Sequence, residues 1–144
     1  RVHPLVVELT SKKEPRDGLE AKFSVFHGCA VGLLYGKAGP AQYVDEIVTS
    51  TEVISVRDRV SIEADSSLSA DEACLTLDHS DGTKLEKHVA HAVGSLQVPM
   101  TDKQLTAKFI DQVSLVVGED VATRWSEKAW NLCNAQDIGA EIRR

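Results

Sequence analysis

The sequence lacks any long apolar run. Its longest, Cys29-Ala30-Val31-Gly32-Leu33-Leu34-Tyr35, falls far short of the ~20 residues that cross a bilayer, so no membrane-spanning helix is expected. Cysteine is scarce. Cys29, Cys74 and Cys133 are odd in number and far apart, which indicates neither a disulfide framework nor a zinc cluster and fits a reducing, intracellular compartment. A broad basic face is missing too, and the net charge of -6 opposes the phosphate neutralisation that nucleic-acid binding needs. There is no Gly-rich phosphate loop, no GxSxG turn and no HExxH pair; Gly36-Lys37-Ala38-Gly39 lacks both the length and the Lys-Ser/Thr ending. His88 and His91 alone approach ligand spacing, but they fall in a strand and a loop with too few companions, so no metal site is predicted. No Met, basic-apolar leader or cleavage pattern precedes Arg1, and the chain reads as an internal piece of a longer protein of the cytoplasm or mitochondrion.

What is present suffices for a folded core. Apolar residues make up 42% of 144 positions, enough for a chain of this length to bury roughly two thirds of its unfolded surface. Leu5, Val7 and Leu9 alternate within Pro4–Thr10 and predict a strand. After a polar break with Pro15, Leu19, Phe23, Phe26, Ala30, Leu33 and Leu34 recur at spacings of three and four, which predicts one long helix. Asp17 is placed to cap it, with Glu20 completing the capping arrangement, and Gly36 or Gly39-Pro40 to end it. Gly28, Ala30 and Gly32 leave room on that helix for a close neighbour. Residues 43–57 predict one or two short helices, and Val60, Ile62 and Ala64 alternate as a further strand.

A hairpin follows, and its register can be derived. A two-residue Asp81-Gly82 turn would set Leu77 opposite Glu86. A three-residue loop, Ser80 to Gly82, sets Leu77 opposite Leu85 and Ala73 opposite Val89, which keeps the apolar set on one face. The second register predicts Gly82 left-handed in a type I turn with a G1 bulge, and Lys87 opposite Leu75. Thr101 with Gln104 forms a capping box before a helix faced by Leu105, Phe109, Val113, Val116 and Val117. Gly118 breaks it, and Ala122, Trp125, Ala129 and Leu132 mark a last helix. The sum is an α+β fold: a small antiparallel sheet packed against a long helix, with further helices at the C-terminus.

The candidate site residues are Lys22, Ser24 and His27. Ser24 and His27 are three apart and so neighbours on a helix surface. An imidazole can donate, accept or carry charge near neutral pH, which suits proton transfer or carboxylate binding. Lys12, Lys13 and Arg16 add local positive charge to an acidic chain. The plainer reading of each is structural: Ser and His on an amphipathic helix commonly serve packing, Lys12-Lys13 a solvated loop, and Trp125 and Trp130 the edge of a small core.

These residues also carry a resemblance. His3-Pro4-Leu5-Val6-Val7-Glu8-Leu9-Thr10, then Glu14-Pro15-Arg16-Asp17-Gly18-Leu19-Glu20-Ala21-Lys22-Phe23-Ser24, resembles the C-terminal half of the MmgE/PrpD family, which includes 2-methylcitrate dehydratase, cis-aconitate decarboxylase and iminodisuccinate epimerase. Asp81-Gly82-Thr83, Gly94-Ser95-Leu96, Pro99-Met100-Thr101-Asp102 and Lys108-Phe109 continue it through about residue 110, and the rest matches more loosely. Gln97-Val98 before Pro99 departs from the Asn usual in the family. The resemblance implies an α+β lid domain over residues 1–116 and a helical segment over 117–144 that returns to a helical domain absent here. It implies a cleft between the two domains, no cofactor, and the main catalytic His and Lys in the absent part. It implies that the position of His27, a Tyr or His in relatives, can face the cleft, with Ser24 and Lys22 matching the same motif as substrate-binding candidates. The expected activity is that of a dehydratase-type lyase on small di- or tricarboxylic acids, in a homodimer. A decarboxylase or an epimerase of the family is the alternative, and an inactive α+β association module is the reading from another class.

Overall fold

The computed structural model describes residues 1–142, with side chains described through residue 140. Pro4 stands at the first helical position, where its missing N–H costs nothing, and the His3 ring accepts the Leu5 N–H at 3.1 Å. Pro4–Thr10 is therefore a helix, α1, and not the strand that the alternation of Leu5, Val7 and Leu9 predicts. The face it covers is His3, Val6, Val7 and Thr10, at spacings of three and four, while Leu5 and Leu9 stay exposed. The long helix predicted next is broken in two, α2 (Gly18–Ala21) and α3 (Val25–Tyr35). Ser24 causes the break. Its backbone is extended, bridges to Ser11, and its hydroxyl caps α3 by accepting the His27 N–H. Asp17 caps α2 as expected, and Gly36, left-handed at φ 69°, ends α3.

A 3-10 turn at Pro40–Tyr43 leads into the short helices α4 (Asp45–Val48) and α5 (Thr51–Arg57). The core lies between α3 and α5, where Ala30 and Val31 meet Val53 and Val56, flanked by Leu34 and Ile47. Each fully buried Val there contributes about 1.5–3 kcal/mol. Val60, Ile62 and Ala64 form no strand of their own: the only bridge in the segment joins Ala64 to Val2. Val2 also bridges Ala73, but the ladder stops there because the chain turns into α1 at Pro4. The sheet proper is thus a single hairpin, β1 (Ala73–Asp78) and β2 (Lys84–Val89). Its register is the predicted one, with Leu77 opposite Leu85, Leu75 opposite Lys87 and Ala73 opposite Val89. The His79 N–H donates to the Thr83 carbonyl, the Gly82 N–H donates to the His79 carbonyl, and Gly82 has φ 85°.

Residues Arg1–Val98 form one compact unit and Pro99–Arg144 a second. The second unit is a helix pair, α6 (Asp102–Val117) and α7 (Glu119–Asn131), followed by a 3-10 turn and α8 (Ile138–Ile142). The Thr101–Gln104 capping box opens α6, and Gly118 separates the pair at φ 83°. On α6, Phe109, Ile110, Val113 and Val117 are partly covered, whereas Leu105 and Val116 of the predicted face are exposed. Among the described residues no helix is long and apolar enough to cross a membrane.

Candidate functional site

The sequence between Asp17 and His27 starts two helices in quick succession, and that spacing decides where each candidate residue goes. His27 falls in the first turn of α3, its N–H 3.1 Å from the Ser24 hydroxyl oxygen. Its ring turns inward, with no exposed surface at all (0%), and its Nε2 lies 2.9 Å from the Gln42 carbonyl oxygen. A carbonyl only accepts, so Nε2 carries the hydrogen. Nδ1 is then a bare acceptor, buried and without a partner. The ring of Tyr43 stands edge-on at 5.0 Å. Burial lowers the pKa of His27; the Gln42 carbonyl works against that, and the Arg57 cation adds to it. The imidazole is accordingly neutral at pH 7.

Arg57 is itself buried, and its Nη1 donates to the Val48 carbonyl at 3.1 Å while its Nε finds no partner. Ser24 is buried as well, its hydroxyl spent on the cap. Lys22 goes the other way, to the exposed surface beside the half-exposed Phe23. The structure therefore brings Ser24 and His27 together through the helix start rather than side chain to side chain, and leaves Lys22 apart. In this arrangement the His27 ring has no open surface.

The charged approach to α2 is organised around Glu20. Its carboxylate accepts from Lys12 Nζ at 2.9 Å and from the Arg16 N–H at 2.8 Å, and these contacts hold it below the usual carboxylate range, the Lys12 bond first. Lys13 lies 6.0 Å over the Phe26 ring. The Lys12–Arg16 loop is thus fastened to the helix starts rather than freely solvated. Gln42, Tyr43 and Arg57 are the site's partners that sequence reading missed. Two signals were there. Gln42 follows Gly39 by three and its side chain accepts the Gly39 N–H at 3.1 Å, and Arg57 sits four residues after Val53 on the buried face of α5. All three cysteines are free, and burial pushes the Cys29 thiol up. Among the described residues no three His, Cys, Asp or Glu side chains gather as a metal site would require.

The MmgE/PrpD C-terminal domain family matches residues 1–132, spanning all of the first compact unit and the α6–α7 pair of the second. The chain belongs to the MmgE/PrpD family. No curated protein matches it. The Asp17–His27 region lies inside the matched residues, immediately before the Ala30 and Val31 that enter the α3–α5 core.

Proposed function

We propose that this chain is the C-terminal portion of a cofactor-independent lyase acting on small di- or tricarboxylic acids, of the 2-methylcitrate dehydratase type. The observation that carries the reading is the family match over residues 1–132. The surface chemistry supports it. A polycarboxylate needs cationic donors, and this acidic chain carries Lys12, Lys13, Arg16 and Lys22, all exposed, between residues 12 and 22. Lys22 is the candidate free to hold a carboxylate. Ser24 and His27 lie behind it, the first starting α3 and the second tying α3 to the Pro40–Tyr43 turn. Direct contact of His27 with substrate requires that turn to move off the ring. The catalytic acid and base come from the preceding helical domain of the same protein, within a homodimer of the cytoplasm or mitochondrion.

A second reading, an association module without activity, is favoured by one feature. Leu105, Phe109, Ala129 and Trp130 line an open, largely apolar groove of about 450 Å³ between α6 and α7. In the enzyme reading that surface faces the helical domain. One assay separates them. The complete gene product is expected to dehydrate 2-methylcitrate while residues 1–144 alone do not. No turnover of 2-methylcitrate, cis-aconitate or iminodisuccinate by the complete gene product removes the enzyme reading and leaves the module.

A further inference from the structure

The open end of the hairpin is closed by two histidine–carboxylate contacts. Continuing the register of Ala73 with Val89 sets residue 71 opposite residue 91, and there His91 Nδ1 lies 2.7 Å from Asp71 Oδ2. One step inward, His88 Nε2 lies 2.7 Å from Glu72 Oε1. Glu72 is held from its other side, where Oε2 accepts the Ser69 N–H at 2.9 Å. The hairpin has little else to keep it zipped. Every residue of β2 is exposed, Leu75 and Leu85 are more than half exposed, and a two-stranded ribbon is marginal by itself. At the far end an exposed Lys84–Asp78 pair at 2.9 Å adds to the ladder.

From this geometry we propose that Asp71, Glu72, His88 and His91 form a pH-sensitive clasp that fastens β2 to the loop before β1 and sets how firmly the base of the hairpin is closed. The clasp is independent of the proposed activity. Its charged and titratable surroundings, among the described residues, are few. Cys74 stands opposite His88 in the ladder, Glu86 lies two positions away on the same strand face, and Lys87 occupies the other face. The backbone nitrogen of Arg1 donates to the Cys74 carbonyl at 2.7 Å. The carboxylates are ready partners. The His91 bond holds Asp71 below its ordinary range, and the Ser69 N–H, then the His88 bond, do the same for Glu72. An imidazole–carboxylate contact is an ion pair only while the carboxylate has lost its proton and the ring has kept its own. Once a ring gives up its proton, the contact is left as a hydrogen bond from a neutral imidazole to the carboxylate, and the hairpin base loosens.

Hydrogen exchange on the complete protein tests this, read on residues 84–91 at about pH 5.5 and pH 8 and corrected for intrinsic exchange. The clasp predicts protection about fivefold higher at the lower pH, the scale of two exposed ion pairs. In a double variant, His88→Gln with His91→Gln, that pH difference disappears while protection at the higher pH stays near wild type, since Gln keeps a neutral hydrogen bond. Wild-type protection that does not change with pH, or a double variant that retains the difference, overturns the clasp. Both positions are solvent-accessible in β2 and the segment after it, so the variants fold, and unchanged protection of α3 in the double variant at each pH verifies that.

Discussion

A β-carbon at Gly18 would run into the carbonyl oxygen of Tyr43, so the backbone of α2 lies directly against the Pro40–Tyr43 turn. A carbonyl cannot yield as a flexible side chain can. Gly18→Ala is expected to cost about 1–3 kcal/mol through overpacking, read as a lower urea midpoint. His27 makes the second residue-scale prediction. Its pKa is lowered by folding, so the unfolded chain takes a proton first as the pH falls. The stability that neutral His27 contributes is complete above the ordinary imidazole range and is lost as the pH drops through the lowered value. Between about pH 7 and pH 5 wild type should lose stability, and His27→Gln should lose less of it. Equal losses would mean that the ring titrates as freely folded as unfolded. Sequence reading could single out Ser24 and His27 because their contact spans three residues. It could not see the Gln42 carbonyl or the Tyr43 ring closing on the imidazole, because the Pro40–Tyr43 turn lies some fifteen residues on and meets α3 only when the chain folds back.

Elements that are specified by close neighbours in sequence were legible. The hairpin register follows from which loop keeps Ala73, Leu77, Leu85 and Val89 on one face. The Thr101–Gln104 capping box follows from residue types three apart, and the hydroxyl of Thr101 accepts the Gln104 N–H at 3.3 Å. Thr101→Ala should cost about 1 kcal/mol and lower the helical protection of the first turn of α6, measured by hydrogen exchange. Elements decided by competition were not legible. In α1 an alternating set and a helical set overlap in seven residues, and Pro4 with its His3 cap tips the balance to helix. At Ser24 the apolar spacing runs on through a residue whose hydroxyl and extended backbone start a new helix. The third strand fails for want of a partner longer than Val2.

At the scale of the whole molecule the chain is an α+β MmgE/PrpD C-terminal domain in two compact units. Both carry apolar surface to the outside, including Leu19 and Phe23 beside Lys22 in the first and Leu105 and Trp130 in the second. That surface is accounted for if a preceding helical domain covers it. Sedimentation should show residues 1–144 binding a separately produced upstream domain, and sedimentation of the two as independent species would count against a shared interface. The proposed function turns on Lys22, exposed just after α2, holding a carboxylate of the substrate. The Michaelis constant of the complete gene product for its polycarboxylate substrate, measured with Lys22→Ala, tests that claim most directly. Loss of one charge-assisted contact predicts a rise of about tenfold or more with the unfolding midpoint unchanged, whereas a Michaelis constant equal to wild type would contradict it.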